Sequence, residues 1–280
     1  MSILQWNCRS ISNKVALLEE YLSAFPRIDV LMLQSLNCKP HELPVLQGFY
    51  SPPIMGVEVG KVQVATYIST RLKCESLDPH ATAPTGTRLC TCGVAIPARR
   101  GRQLSLVNVY YLAGCPEAED TAWLRSLDLQ KSDWVVAGDF NSRHKLWDRN
   151  CTRSAGDSLA DTIMDSNLVL LNDGSFTHLG QAGCSDSAID LSLVSPVLSL
   201  DAVWYTGKGH LQSDHLPVHI ELGNVEPEEE EIDRTPKYQY RRADWGRFRS
   251  LLDEACDLTN PYECDIDTYF ENVRRMILRC

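Results

Sequence analysis

The 280-residue sequence has no apolar run long enough to cross a membrane and no signal-peptide pattern ahead of its first apolar segment. Its eleven cysteines are odd in number and never form a CxxC pair, so a zinc site is not expected. Reduced thiols in a protein that is not secreted are the natural reading. Net positive charge is also missing. The formal charge is −10, and residues 223–280, with 14 acidic and 9 basic side chains, account for −5 of it. A protein that grips nucleic acid by bulk charge is thereby excluded; attraction must come from a local basic face and be weak and salt-dependent. No internal repeat is found.

What is present centres on SDWVVAGDFNSRHKLW, residues 132–147. Trp134, Val135, Val136 and Ala137 form a short run of strand-forming residues that stops at Gly138. The loop beyond it delivers Asp139, Asn141, Arg143 and His144 within six residues. A carboxylate can orient or deprotonate a water, while an amide, a guanidinium and an imidazole can hold phosphate oxygens. An ordinary Asp-Asn turn with solvated charges gives the same string, so context decides.

Ile3, Leu4 and Trp6 predict a strand ending on Asn7, followed by a helix from near Lys14 with Val15, Leu18, Leu22 and Phe25 on one face. Ser10 or Ser12 is its candidate cap, and Pro26 its stop. A buried strand follows at 29–34, then a half-exposed one at 61–69. Residues 90–97 and 103–112 read as an antiparallel pair across the basic turn ARRGR. Trp123, Leu124 and Leu127 mark a helix, as do Leu159 and Ile163. SFTH and SAIDLSLVS read as a paired strand element carrying Asp190 inward, and HLPVHIEL as a closing strand. Trp147 is expected to anchor the loop by packing. Candidates for a basic face are Arg99, Arg100 and Arg102, and Arg143, Lys145, Arg149 and Arg153.

ILQWN, DVLMLQS, NVYY, GDFN, SAIDLSL and SDHLPV, in this order and spacing, resemble the endonuclease/exonuclease/phosphatase superfamily. GDFNSRHKLW and LVLLNDGSFTHLG narrow the match to the endonuclease of non-LTR (LINE-type) retrotransposon polyproteins. The resemblance covers about residues 1–222. It implies a two-sheet α/β sandwich flanked by helices in four layers, with Asn7, Tyr110, Asp139, Asn141, Asp190, Asp214 and His215 converging at strand ends. It also implies that Asp139 handles the water and that Asn141 and Tyr110 hold the phosphate. His215, steadied by Asp190, would donate to the phosphoryl oxygen. Mg²⁺ or Mn²⁺ would be held through Asn7 and Asp214. Arg100, Arg143 and His144 are the expected nucleic-acid contacts.

One departure matters. The family's metal-binding glutamate falls at Ser35, whose neutral, shorter hydroxyl cannot replace a carboxylate, and Glu42 lies seven residues on, beyond a proline. Three readings follow: a metal-dependent endonuclease, impaired by Ser35, that nicks target DNA for target-primed reverse transcription; a degenerate copy that binds nucleic acid without cutting; and a phosphoesterase acting on a small phosphate ester. Residues 223–236 read as an acidic linker and 237–280 as a helical segment leading toward a reverse transcriptase of the same polyprotein. The expected location is nuclear when acting on DNA and otherwise cytoplasmic.

Overall fold

Strand pairs of like direction set the architecture. In the computed structural model, β1 (Ser2–Asn7) runs parallel to β2 (Val30–Cys38), and β7 (Arg102–Tyr111) runs parallel to β8 (Ser132–Asp139). The structure describes residues 1–223 except 26, 51–53, 78–88, 99–101, 113–117, 152–155, 182 and 210, and beyond them 225, 227, 245–247 and 249–250. Arg99, Arg100, Arg153, Pro26, and most of the linker and the C-terminal helical stripes lie outside the described residues. The chain divides into two units, Met1–Glu231 and Ile232–Cys280.

Two six-stranded sheets form the first unit. The remaining strands are β3 (Ile54–Glu58), β4 (Lys61–Ile68), β5 (Glu75–Ser76), β6 (Leu89–Ala98), β9 (Val169–Leu170), β10 (Asp190–Val194), β11 (Ala202–Thr206) and β12 (Val218–Leu222). One sheet has the order β11-β12-β1-β2-β4-β3 and the other β5-β6-β7-β8-β10-β9. Successive side chains point to opposite faces. Thus Ile3, Met32, Ile96, Leu106 and Val135 fill the space between the sheets. Leu4, Leu31 and Leu33 face outward, packing with Leu18 of α1 (Val15–Ala24). On the other sheet, Val107, Val136 and Leu191 pack with Leu159 and Ile163 of α3 (Asp157–Asp165). This is the four-layer sandwich that the resemblance implies.

Some local expectations are corrected. The 61–69 strand is not half-exposed: β4 is buried from Val62 to Ile68, because packed elements cover both of its faces. Neither Ser10 nor Ser12 caps α1; Lys14 stands at its N-cap without a side-chain bond. The helix around Trp123 is a short α2 (Ala118–Thr121) running into a 3₁₀ turn, Ala122–Ser126.

The parallel pairing brings the C-terminal ends of β1, β2, β7 and β8 to one edge of the sandwich. Antiparallel β10 contributes its first residue, Asp190, at the same edge.

Candidate active site

Strand register places the carboxylates. Asp139 ends β8, with Tyr110 beside it on β7 and Asp190 opposite it on β10. Gly138 takes φ +150, and a Cβ there would lie 1.9 Å from the Val109 carbonyl oxygen, so only glycine lets β8 run this close to β7. Asp139 is fully buried. Its oxygens accept from Asn7 Nδ2 at 2.7 Å, from the Asn141 backbone N–H at 2.8 Å and from Asn141 Nδ2 at 3.3 Å. Asn141 sits at φ +47, a region asparagine tolerates better than most residues, and its Nδ2 also donates to the Tyr111 carbonyl at 2.7 Å. Here Asn141 braces the carboxylate.

His215 faces this group. Its Nδ1 is 2.8 Å from Asp190 Oδ2, and its Nε2 is 3.9 Å from Asp139 Oδ2. The bond to Asp190 fixes the proton on Nδ1 and leaves Nε2 pointing at Asp139. Two further contacts hold the 213–215 turn: the Ser213 hydroxyl donates to the Asn7 carbonyl at 2.7 Å, and Trp6 Nε1 donates to the His215 carbonyl at 3.2 Å. Thr177 Oγ1 accepts from the backbone N–H groups of Ile189 and Asp190, both at 3.1 Å.

A buried amide chain supports Asp190 from inside. Gln5 Nε2 donates to Asp190 Oδ1 at 2.9 Å and to Gln34 Oε1 at 2.7 Å, while Gln34 Nε2 donates to Asn108 Oδ1 at 2.7 Å. Sequence reading missed this chain because Gln5, Gln34 and Asn108 come from three strands and two sheets. The apolar neighbours on both sides of Gln5 and Asn108, and the apolar run ahead of Gln34, were the available signal, since a buried amide requires a partner.

Charge burial shifts both titrating partners. Burial and the like charge of Asp190 raise the Asp139 carboxyl, against the opposing pull of His215 and its hydrogen-bond donors, to about 7. For His215, burial alone would favour the neutral ring, but Asp190 and then Asp139 outweigh it and raise its pKa to about 9.

Ser35 lies at the mouth of the site, 5% exposed and at φ +54. Its hydroxyl accepts from Asn37 Nδ2 at 3.2 Å and lies close enough to the Tyr110 phenol to oppose the rise that burial gives its pKa. Tyr111 turns the other way and bonds Asp120. Glu42 does not substitute for a carboxylate at 35: it accepts from the Lys39 backbone N–H at 2.8 Å. Asp214 pairs with the guanidinium of Arg9. His178, not singled out from sequence, has its Nε2 3.7 Å from Asp214 Oδ2 and its ring edge-on to His215 at 4.8 Å. Arg143 turns toward buried Asp148, Nε to Oδ2 at 2.5 Å, and His144 toward Asp157 at 3.4 Å and the Trp147 ring. Neither side chain joins the group around Asp139. Trp147 is buried and donates to the Ser142 carbonyl at 3.0 Å, anchoring the loop.

Among the described residues, two clusters could offer metal ligands: His178, Asp214 and His215, and Asp139, Asp190 and His215, with ligand atoms in each within 4.8 Å of one another. They do not rebuild the oxygen-rich site that the resemblance implies. Position 35 has no carboxylate, and Asn7 Oδ1 accepts from the Arg9 backbone N–H at 3.0 Å. Arg9 takes one oxygen of Asp214, leaving buried, unpartnered Oδ1 as its open donor. Mg²⁺ typically takes one or two carboxylates together with waters and phosphate oxygens.

A buried Asp–His–Asp group sits at the strand ends of a two-sheet sandwich with the endonuclease/exonuclease/phosphatase-like fold. Residues 104–219 match the family model described as endonuclease-reverse transcriptase. The chain is 30% identical over 231 residues to a probable RNA-directed DNA polymerase from transposon X-element of Drosophila melanogaster, covering 79% of this chain and 24% of that protein. It is 23% identical to the corresponding protein from transposon BS of the same organism, covering 98% of this chain and 30% of the relative. The chain therefore spans less than a third of these curated relatives. Among solved structures, the endonuclease domain of TRAS1, a telomere-specific non-LTR retrotransposon, superposes with a TM-score of 0.59 at 18% identity, covering 79% of this chain and 98% of that one. An AP endonuclease from Leishmania major gives 0.60 at 18% identity, covering 78% and 86%. Over these residues the chain is similar to the endonuclease domains of non-LTR retrotransposon polyproteins.

Proposed function

We propose that residues 1–222 form a DNA endonuclease domain that nicks one strand and leaves a 3′-hydroxyl for a reverse transcriptase of the same polyprotein to extend. The observation that carries this reading is His215, held by Asp190 and aimed at Asp139 across 3.9 Å. Asp139, ionised, takes a proton from a water that attacks the phosphorus. His215, protonated, donates from Nε2 to a phosphoryl oxygen and balances the charge developing there. The P–O3′ bond breaks, leaving a 5′-phosphate, and the leaving oxygen takes a proton from solvent to become the 3′-hydroxyl. Asn7 and Asn141 hold Asp139 in place, and Tyr110 lies beside it for a phosphate contact. The Mg²⁺ or Mn²⁺ of the resemblance would be held through the unpartnered oxygen of Asp214 and would neutralise charge on the phosphate.

Nicking of supercoiled plasmid, with and without Mg²⁺ or Mn²⁺, tests this beside Asp139→Asn. The wild type should convert plasmid to open circles that a polymerase extends, and the variant should lose at least about 100-fold. Equal behaviour of the two would overturn the reading. Ser35 and the Arg9–Asp214 pair favour a second one, a copy that binds DNA without cutting. Duplex binding by a chain that never nicks would support it.

A further inference from the structure

We propose that Arg9 is a DNA-phosphate contact of this site, with its guanidinium serving as the cation that the site lacks through Ser35. This rests on the nuclease reading of the same cleft.

The chain builds a rigid mount for Arg9. Directly after β1 it takes φ +43 at Arg9 and +73 at Ser10, which turns the backbone back over the end of the strand. The loop is then tied down on both sides. Ser10 N donates to the Ser35 carbonyl at 2.7 Å, and Ile11 N donates to the Leu36 carbonyl at 3.2 Å. Lys14 Nζ donates to the carbonyls of Cys8 at 2.5 Å and Arg9 at 2.8 Å. Left-handed residues of this kind persist only where surrounding bonds determine them.

From this mount Arg9 spans the mouth. Its backbone N–H binds Asn7 Oδ1, the amide whose other end holds Asp139. Its guanidinium reaches Asp214, the residue before His215. The side chain is 59% exposed, so one face meets Asp214 and the remaining donors face solvent, in the fork geometry that suits phosphate. Asp214 is the smaller part of what Arg9 can bind, because an exposed ion pair is weak and is readily exchanged for a phosphate. The charge also balances. Serine in place of a carboxylate removes one negative charge, and Arg9 supplies one positive charge; together these equal the charge of one divalent cation.

The test is DNA binding by the full 280-residue chain in EDTA, read as fluorescence anisotropy of a labelled duplex across a salt series. One phosphate contact contributes a slope of about 0.9 in log affinity against log salt. Arg9→Gln should lower the slope by about 0.9 and weaken binding roughly eightfold near 0.1 M salt. Arg9→Lys keeps the charge and should keep most of the slope, which controls for folding of the loop. Asp214→Asn releases the guanidinium and should leave the slope intact. If Arg9 merely holds Asp214 in place, Asp214→Asn will behave like Arg9→Gln, and the proposal falls. An unchanged slope in Arg9→Gln overturns it as well. Plasmid nicking is scored separately. A lost slope without any wild-type nicking removes the nuclease reading and leaves the Arg9 contact standing, whereas nicking with an unchanged slope does the reverse.

Discussion

Asp190 stands directly across the β8–β10 ladder from Asp139, and His215 lies between them, 2.8 Å from the first and 3.9 Å from the second. Two buried carboxylates this close cannot both ionise cheaply unless a cation separates them. The imidazolium is that cation, which is why its own proton is held so firmly.

The pH dependence follows. Asp139 must lose its proton, so kcat/KM should rise about tenfold per pH unit up to about 7. His215 must keep its proton, so the rate should fall above about 9. Stability has its own sign. The His215 pKa is raised on folding, so its contribution is complete below 6.5 and is lost as pH rises through about 9. Urea midpoints should therefore fall between pH 6 and pH 10, and less so in His215→Asn; a midpoint that rose over this range would contradict the charge assignment.

Asp190→Asn keeps the shape of the acceptor but offers no negative charge to the ring. The His215 pKa, followed by NMR, should drop, and nicking should fall by roughly 10²–10⁴-fold. An unshifted imidazole would show that Asp190 does not hold the proton on Nδ1.

Ser35→Glu should place a carboxylate beside Tyr110 and Asn37. Calorimetric Mn²⁺ binding should tighten by roughly 10–100-fold, the range over which supporting ligands act. Affinity equal to that of the wild type would mean that position 35 no longer borders a cation site.

A stability prediction concerns the β3–β4 hairpin. Its two-residue turn, Val59-Gly60, needs positive φ at both positions, and Val59 holds +48 while 94% exposed. A β-branched residue is strained there, whereas asparagine suits the turn. Val59→Asn should stabilise by about 1 kcal/mol in urea unfolding, and any loss of stability would show that the valine packs on something.

The strands around the site were legible because each is a short apolar run ending in a polar loop: ILQWN, DVLMLQ and WVVAGD needed only local pattern. β3 was not, since IMGVE has a glycine in its middle; that glycine packs against the Thr91 carbonyl, a contact that exists only between strands. Asp139 was read from the loop that ends its strand and Asp190 from its strand pattern, the role of each and of His215 came from the resemblance, and Arg9 and His178 were overlooked because nothing near them in sequence marks them.

The sequence by itself determined the alternation that buries two sheets, the glycine at 138 that lets β8 approach β7, and the identity of the acids and the imidazole. Tertiary structure decided how they are used. It set Asp190 against Asp139 through strand register, ran the Gln5–Gln34–Asn108 chain between sheets, and turned Arg9 onto Asp214, more than two hundred residues away. Such pairings depend on which strand ends share an edge of the sandwich, and local pattern carries no record of that.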